Sequence, residues 1–376
     1  MNVALFFTYD VSLSQWEKLK IIDREMKFYS EITNNFDEIK FTLITYGNNE
    51  DLKYRDRYKN ISIIPVYSIN KRPSNKFLRF LDSLVIPFKI KKQLTHIDIF
   101  KTNQLLGCWI PVILKKLLKK PLIIRTGYDI FSFSLKQKKN IFKLCFYYLL
   151  TQIAILSSDK YLVSSTGDKD FLIKNFYWKN NKKIKVRNNW ISEDIDFDIL
   201  NRENKKILTV GRLEEQKNLF DLISKFKDTE YVLDIVGEGS QKDQLVLHSK
   251  KNNVNTNFLG LINHEELLDL YKNYKFFIMN SIYEGHPKAL IEAMSRGCIV
   301  VVNENSSVKE IISNNVNGIL FDSFKENPIK FIETLNKDDQ LTLDISDNAI
   351  KFANDNYSIS KMIDLEIKTY KELIKN

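Results

Sequence analysis

The chain has 376 residues, of which 44% are hydrophobic and 28% charged, so it is long for one hydrophobic core and too apolar to be intrinsically disordered. Three cysteines without a CxxC spacing argue against a disulfide framework or a zinc site, and they fit a reducing cytoplasm. The net charge of +10 is uneven, because residues 1–200 carry +14 and residues 201–376 carry −4. A basic first half suggests an anionic partner, either membrane phospholipid or nucleic acid, although a solvated lysine-rich face gives the same pattern.

The first half of the chain alternates short apolar runs with amphipathic stretches. Runs of this kind are typical of buried parallel strands, and the stretches between them predict helices. The predicted strands are residues 3–8, 41–46, 61–66, 97–101, 122–125 and 160–163, and the predicted helices are residues 16–34, 76–94 and 109–119. The opening residues lack a basic start and a small-residue cleavage site, so they predict the first strand rather than a signal peptide.

The second half repeats the alternation more regularly. The predicted strands are residues 206–210, 231–236, 257–259, 276–280, 299–303 and 318–321, and the predicted helices are residues 218–226, 241–252, 264–273, 287–296 and 308–313. Asn263 is placed to cap the helix that follows it. Alternation at this spacing predicts an α/β protein with two doubly wound, Rossmann-like domains.

The domain limits follow from the same alternation. Residues 192–205 are acidic and then polar, and we interpret them as the linker. We therefore expect a first domain at residues 1–195 and a second at residues 196–358. A last helix, at residues 359–376, has no partner strand, and we expect it to cross back to the first domain.

A charged loop follows the predicted strand at residues 206–210. Gly211 permits a tight turn where backbone must approach a ligand, and Arg212 and Lys217 follow it. Arg212 offers a planar fork to a phosphate and Lys217 a point charge, while the helix that begins near Asn218 adds its positive end. Together these features predict a pyrophosphate clamp, and the alternative is a strand–helix loop with surface charges.

Two glutamates flank the start of a predicted helix. Pro287 suits the first helical position because it has no N–H group, and the N–H groups of Lys288 and Ala289 are then available to an anion. Glu284 lies in the loop before the helix and Glu292 in the helix, so both reach the carboxyl ends of the strands, where open α/β sheets bind ligands. A carboxylate accepts hydrogen bonds from two neighbouring ribose hydroxyls, but two acids at this spacing also occur by chance.

A glycine-containing segment, Val236-Gly237-Glu238-Gly239, resembles half of a dinucleotide fingerprint. It lacks the third glycine and does not stand at the start of a domain, so it does not predict a nicotinamide site. The segment is either a glycine-bounded strand end over a ligand or a plain turn.

Taken in order, these segments resemble the donor domain of glycosyltransferase family 4, retaining enzymes with the GT-B architecture of two Rossmann-like domains facing across a cleft. The ordered motifs are Gly211-Arg212-Leu213 with Gln216-Lys217-Asn218, Val236-Gly237-Glu238-Gly239, Phe258-Leu259-Gly260, Glu284 to Glu292, Ala293-Met294 with Gly297, and Asn314 to Gly318. In the first domain, Asn103 to Gly107 and Arg125 to Asp129 resemble a bacterial surface-polysaccharide branch of this family. The loop at residues 7–16 has no glycine where the family has a Gly-rich loop.

The resemblance implies a role for each matched residue of the donor site. Arg212 and Lys217 would bind the donor diphosphate and stabilise the leaving charge. Glu292 would hold the ribose hydroxyls, and Glu284 would contact the transferred sugar. His286 would lie beside that sugar and present its backbone. The other donor-binding residues that it implies are Gly211, Glu238, Lys288, Ala289 and Leu290.

For catalysis, the resemblance implies Glu284, Arg212 and Lys217, together with Asp129 as the group that orients or deprotonates the acceptor hydroxyl. Many relatives carry a histidine near that strand end, where this chain has Arg125 and Asp129. No Asp-x-Asp motif stands at a strand end, so we expect no metal and no other cofactor, with arginine and lysine in place of a metal. Retention would follow from departure and attack on the same face, without a protein nucleophile.

The function that the resemblance implies is a hexosyl- or N-acetylhexosaminyltransferase that uses a nucleotide sugar. Its acceptor would be a hydroxyl of a glycan, expected to be lipid-linked, in the synthesis of capsule, O-antigen or another surface polysaccharide. The protein would be cytoplasmic and peripheral on the inner face of the membrane, attracted to anionic lipid by its basic first domain. Residues 76–94 and 141–156 are the candidate contacts, and buried core helices are the alternative for both.

Two other functions are compatible with the sequence. A nucleotide-sugar epimerase of the GT-B fold would need no acceptor, so a new sugar isomer formed from the donor alone would identify it. A non-enzymatic nucleic-acid binder would use the positive first half, but the aromatic residues there lie in apolar runs and are not interleaved with basic ones. We therefore expect no nucleic-acid partner.

Overall fold

The computed structural model describes residues 1–177, 181–193 and 199–375. Contacts within the chain divide it into two units, one formed by residues 1–188 with residues 363–375 and the other by residues 189–362. The sequence prediction set the first boundary after residue 195, and residues 194–198 of the predicted linker lie outside the described residues. Residues 203–205, which the sequence assigned to the linker, belong instead to a strand that begins at Glu203.

The first unit contains a parallel sheet of seven strands within the described residues. They are β1 (Asn2–Phe6), β2 (Lys40–Thr45), β3 (Ile61–Pro65), β4 (Ile99–Thr102), β5 (Leu122–Arg125), β6 (Lys160–Val163) and β7 (Ile184–Val186). Their order in the sheet is β3-β2-β1-β4-β5-β6-β7. Most strand residues are buried, as runs without polar alternation predict for strands covered on both faces.

Helices connect these strands. They are α1 (Leu13–Lys18), α2 (Ile22–Asn35), α3 (Val66–Ile69), α4 (Lys76–Ile90), α5 (Trp109–Leu118), α6 (Ile130–Lys136), α7 (Ile141–Ser157) and α8 (Thr166–Asn175). The single helix predicted at residues 16–34 is wrong, because Lys20 has a φ of 55° and separates α1 from α2. Across this break Ile21 donates its N–H to the Trp16 carbonyl at 2.9 Å, a bond typical of a helix end that contains a left-handed residue.

The second unit contains a parallel sheet of six described strands. They are β8 (Glu203–Val210), β9 (Val232–Val236), β10 (Thr256–Gly260), β11 (Tyr274–Met279), β12 (Ile299–Asn303) and β13 (Ile319–Phe321). Their order is β10-β9-β8-β11-β12-β13, which reverses direction between β8 and β11. Open α/β sheets bind ligands beyond the carboxyl ends of their strands at such a switch point.

Helices cover both faces of the second sheet. They are α9 (Leu219–Lys225), α10 (Lys242–Lys251), α11 (His264–Tyr271), α12 (Lys288–Ser295), α13 (Pro328–Leu335) and α14 (Asp339–Tyr357). Neighbours such as Phe276 and Phe277 belong to different hydrophobic clusters, because successive side chains of a strand point to opposite faces. Asn263 accepts the Glu266 N–H at 2.9 Å and caps α11, which confirms the predicted cap. The short helix predicted at residues 308–313 is only a 3₁₀ turn, Val308–Glu310.

The last helix, α15 (Ile359–Ile374), adds a charged group to the interior of the first unit. Its Glu366 is 1% exposed and accepts a hydrogen bond from Lys101 Nζ at 2.5 Å, and Arg187 Nε lies 3.7 Å from its other carboxylate oxygen. Burial alone would raise the pKa of Glu366, but Lys101 and Arg187 outweigh burial and hold it at about 2. The carboxylate is therefore ionised, and it ties α15 to β4 and to the segment after β7.

Glu366→Gln should lower the free energy of unfolding by about 3–5 kcal/mol at neutral pH, because Lys101 and Arg187 would stay buried without their counter-charge. The folded-state pKa of Glu366 is depressed, so its contribution is present above its ordinary pKa of 4.5 and is lost as the pH falls towards about 2. Urea unfolding at several pH values should therefore show a smaller difference between wild type and variant in acid.

Glu372→Gln is the matched control, because Glu372 also lies on α15 and pairs with Lys160 at 2.8 Å but is 35% exposed. We expect it to change the free energy of unfolding by less than about 1 kcal/mol. Equal losses for the two variants would contradict a dominant role for the buried pair.

Candidate functional site

Three loops meet at the carboxyl ends of strands in the second unit. They are residues 211–218 after β8, residues 237–241 after β9 and residues 280–287 after β11. Gly211 donates its N–H to the Val236 carbonyl at the end of β9, and Leu213 donates to the Glu238 carbonyl, both at 3.0 Å. Ile282 of the third loop donates to a carbonyl of the first, also at 3.0 Å. The loops therefore form one hydrogen-bonded group at the switch point of the sheet.

Gly237 allows the first two loops to approach closely. Its φ is 137°, and a Cβ built there would lie 1.9 Å from the Gly211 carbonyl oxygen. A Cβ on Gly239 would lie 2.4 Å from the Leu213 carbonyl oxygen. Both positions therefore require glycine, and the segment that the sequence left open is a tight support beneath the loop that begins at Gly211.

Glu284 and Lys217 form an ion pair between the first and third loops. Lys217 Nζ lies 2.5 Å from Glu284 Oε1, and the two side chains are 17% and 8% exposed. Gln216 Nε2 donates to the other carboxylate oxygen at 3.2 Å, and Ser307 Oγ donates to the Glu284 carbonyl at 2.6 Å. The Lys217 side chain also lies against Gly211, since a Cβ there would come within 2.9 Å of its Cε. The carboxylate and the ammonium group are thus fixed in place before any ligand binds.

Arg212 follows Gly211 in the same loop and is exposed. Within the described part of the chain, its guanidinium group makes no hydrogen bond and no ion pair. The nearby Glu214 carboxylate accepts hydrogen bonds from the N–H and the hydroxyl of Ser240 at 2.9 and 2.8 Å and forms no ion pair with Arg212. The planar fork of Arg212 is therefore available to a phosphate.

Helix α12 begins directly after the third loop. Pro287 is its N-cap and not its first helical residue as the sequence predicted, and Lys288, Ala289 and Leu290 form its first turn. The N–H groups of a first turn have no acceptor within the helix, so they can bind an anion. Leu290 is fully buried in the core, so only its backbone can take part in the binding that the resemblance implies.

Glu292 is buried, not a surface acid of α12. It is 2% exposed, and its Oε1 lies 3.2 Å from Nε2 of His264 at the start of α11. The Trp190 ring stands perpendicular to the His264 ring, with 6.2 Å between the centroids. Lys288 and Glu292 are four residues apart and share a face of α12, so the site has a cation and an oriented carboxylate one turn apart.

Two other residues that the resemblance implies lie apart from the ion pair. His286 is 6% exposed, its carbonyl accepts a hydrogen bond from Asn189 Nδ2 at 2.7 Å, and its ring is edge-on to Tyr357 at 4.8 Å. The Glu238 side chain is 39% exposed and pairs with Lys242 at 2.5 Å. Among the described residues, no hydrogen bond or ion pair joins Glu238 to the Lys217–Glu284 pair.

The structure also adds residues that the sequence did not single out for the site. Gln216 was part of a quoted motif, and its contact with Glu284 places it in the site. His264 was predicted only as a helix start, and nothing in the sequence signals its pairing with Glu292, a residue 28 positions away. Over the residues that the structure describes, no three His, Cys, Asp or Glu side chains are grouped to hold a metal ion.

Asp129 lies in the first unit, after β5, where it caps α6. Its Oδ1 accepts the Ser132 N–H at 2.6 Å, and the side chain is 1% exposed. Burial raises the pKa of this carboxyl group to about 7, and the nearby Asp168 carboxyl group adds to the increase. This geometry supports a structural role as a helix cap, and a role in acceptor activation stays a prediction.

Asp129→Asn should remove part of the pH dependence of stability. The folded-state pKa of Asp129 is raised from 3.8 to about 7, so its stabilising contribution is present below the lower value and lost as the pH rises through the upper one. Asparagine can still cap α6 but cannot ionise, so the melting temperature of the variant should exceed that of wild type by more near pH 8 than near pH 5.

The control for the cap is Asp129→Ala, which cannot ionise either and should be less stable than Asp129→Asn by about 1 kcal/mol at both pH values, because it removes the acceptor for Ser132. Melting temperatures of wild type and Asp129→Asn that fall in parallel between pH 5 and 8 would contradict the raised pKa.

A family model matches the region that holds the site. Residues 192–352 match the family model described as "Glycosyl transferases group 1". The N-acetylgalactosamine-N,N'-diacetylbacillosaminyl-diphospho-undecaprenol 4-alpha-N-acetylgalactosaminyltransferase of Campylobacter jejuni is 30% identical over 216 residues, which cover 55% of this chain and only 59% of that protein. An uncharacterized glycosyltransferase of Methanocaldococcus jannaschii is 25% identical over 347 residues, which cover 89% of this chain and 91% of that protein.

Solved structures share the whole architecture. HepE of Anabaena, in complex with UDP and glucose, covers 99% of this chain and 100% of its own, with a TM-score of 0.74 and 16% identity. At this identity the likeness shows the fold alone, which is the GT-B fold of two parallel-sheet, Rossmann-like domains. The predicted fold class is thereby confirmed.

Proposed function

We propose that this protein, which is similar to glycosyltransferases, moves a sugar from a nucleotide sugar to a hydroxyl of a lipid-linked glycan with retention of configuration. The observation that carries the proposal is the fixed Lys217–Glu284 pair at the switch point of the sheet. A lipid-linked acceptor is supported by the name of the Campylobacter relative, which specifies a diphospho-undecaprenol substrate.

The donor diphosphate would bind where positive groups converge. Arg212 is exposed and unpaired among the described residues, Lys217 is held next to Gly211, and the first turn of α12 supplies N–H groups. Preorganised cations and helix N-termini stabilise negative charge that develops on a leaving group. We propose that these groups act in place of a metal ion, so turnover would continue in a chelator.

Glu284 and Glu292 would recognise the two sugar rings of the donor. Glu284, with its charge balanced by Lys217, would accept hydrogen bonds from hydroxyls of the transferred sugar. Glu292 would accept from the ribose hydroxyls, and His264 would keep its carboxylate in one orientation. His286 and Glu238 contribute backbone to the neighbouring loops, so we propose that they shape the pocket.

The proposed reaction class is more specific than the general glycosyltransferase class of the matched proteins. The ordered motifs support a retaining, family 4 hexosyl- or N-acetylhexosaminyltransferase, in which the diphosphate leaves from the face that the acceptor attacks. We propose that it builds a bacterial surface glycan, such as capsule or O-antigen, at the cytoplasmic face of the membrane. Asp129 remains the proposed group for acceptor activation.

Arg212→Ala should weaken donor binding about 10- to 100-fold, since a hydrogen bond to a charged group contributes about 1.5–3 kcal/mol. The melting temperature of the free protein should not change, because no interaction in the described part of the chain depends on this side chain. The measurement is a thermal-shift titration with a panel of nucleotide sugars, in which a ligand at 100 times its Kd adds about 2.7 kcal/mol.

Lys330→Ala is the control, because Lys330 is an exposed cation of the same unit that makes no ion pair with the described residues. It should leave both the melting temperature and donor binding unchanged. The proposal fails if no nucleotide sugar raises the melting temperature of the wild-type protein.

The product of a single transfer should keep the anomeric configuration of the donor sugar. Proton NMR of the purified product reads this configuration from the coupling constant of the anomeric proton. An inverted product would exclude retention. A new sugar isomer formed from the donor without acceptor would identify an epimerase instead.

A further inference from the structure

Helix α7 exposes an apolar stripe on the first unit. Phe142, the most exposed, has 84% of its surface accessible, and Phe146, Leu149, Ile153 and Leu156 follow at intervals of three or four residues. This spacing places the five side chains on one face of the helix. Leu150, Thr151, Ala154 and Ile155 are buried on the other face. Packing against the core of the first unit explains why one face of α7 is apolar, but it does not explain the exposed apolar face.

Helix α4 has the same arrangement. Phe77 is 67% exposed, and Leu81, Leu84 and Phe88 continue a stripe along the helix, with further exposed apolar side chains beside them. Ser83, Ile86, Pro87 and Ile90 are buried on the opposite face. Both segments that the sequence left open, as core helix or external contact, therefore have one face in the core and one face exposed.

The two stripes adjoin. The ring of Phe80 on α4 lies 6.3 Å from the ring of Phe146, which belongs to the α7 stripe. Phe80 also contacts the ring of Trp109 on α5, with 5.4 Å between the centroids. Helix α4 is therefore a neighbour of both α5 and α7 within the first unit. We call the exposed stripes of α4 and α7 together the α4/α7 surface. Single exposed apolar residues are ordinary, but a contiguous patch of this extent marks an interaction site.

The charge beside the α4/α7 surface is positive. Lys76 and Lys92 lie near the ends of α4, and Lys139 and Lys143 lie at the start of α7. All four are exposed and make no ion pair with the described residues. Residues 130–158 contain no Asp or Glu. An apolar face bordered by unpaired lysines is complementary to an anionic phospholipid leaflet, whose phosphates lie just outside its hydrocarbon.

We propose that the α4/α7 surface inserts into the interfacial layer of an anionic leaflet, with its aromatic and aliphatic side chains at the acyl boundary and the lysines at the phosphates. No helix in the described part of the chain is long and apolar enough to cross a membrane. The inference rests on the proposed function for its purpose, which is access to a lipid-linked acceptor. It deepens that function by naming the surface and by making the contact apolar as well as electrostatic.

Salt concentration distinguishes the electrostatic contribution to membrane binding from the apolar contribution. Attraction between exposed charges is screened at high ionic strength, whereas burial of apolar side chains persists. The full chain should therefore float with phosphatidylcholine vesicles that contain phosphatidylglycerol at low salt and should remain partly bound at molar salt. Phe77→Ser combined with Phe142→Ser should remove the salt-resistant binding, and Lys139→Gln combined with Lys143→Gln should weaken binding at low salt only.

Phe324→Ser is the matched control, because Phe324 is 90% exposed but belongs to the second unit. It should leave vesicle binding unchanged. Phe142→Trp measures insertion directly, since its additional fluorescence over wild type should be quenched by lipids brominated in the acyl chains. The corresponding Phe324→Trp fluorescence should not be quenched.

Three results would overturn the proposal. One is no binding to the anionic vesicles at low salt. Another is complete release by salt together with no effect of the Phe77→Ser and Phe142→Ser pair, which would leave charge alone as the cause. The third is a dimer in sedimentation that this pair dissociates, without vesicle binding, which would assign the surface to a second copy of the chain. Nucleotide-sugar thermal shifts on the same proteins test the proposed function separately, because they need no membrane.

Discussion

The ion pair between Lys217 and Glu284 is the contact on which the arrangement of the second unit's site depends. It joins the loop after β8 to the loop after β11, the two strands at which the sheet order reverses. The surrounding backbone bonds, the glycine contacts and the hydrogen bond from Gln216 all hold the same loops. Because the pair is mostly buried, each partner would be costly to leave alone, so the loops are fixed relative to each other before a ligand arrives.

This constraint gives the two cations of the first loop different properties. Lys217 is fixed, and its charge is shared with Glu284, whereas Arg212 is exposed and has no partner among the described residues. A bound diphosphate would therefore meet one preorganised cation and one that can adjust to it. Both acids are held in place, Glu292 by His264 and Glu284 by Lys217. The Glu284 carboxylate, whose charge Lys217 balances, can therefore accept ligand hydroxyls beside a bound diphosphate.

Parallel strands and the loops after them were predictable, because uninterrupted apolar runs and turn-forming residues are local signals. The position of Gly211, Lys217 and Glu284 in one group followed from the rule that carboxyl ends of parallel strands share an edge. Contacts between distant positions had no such signal. The partner of Glu292 begins a helix that looked ordinary, and the break at Lys20 depends on a backbone angle that a lysine rarely adopts. The exposure of one face of α4 and of α7 could not be predicted either. Both helices are apolar on two faces, and sequence periodicity does not distinguish a buried face from an exposed one.

The charged group at Glu366 has a consequence for how the protein is made. Lys101 and Arg187 belong to the early part of the chain, yet the carboxylate that neutralises them arrives only with α15. During translation, the sheet of the first unit is synthesised long before its interior charges have their partner. The interior of the first unit therefore lacks this counter-charge until the residues of the second unit have been synthesised. The first unit can complete this ion pair only after α15 has been synthesised, although all of its strands precede the second unit in the chain.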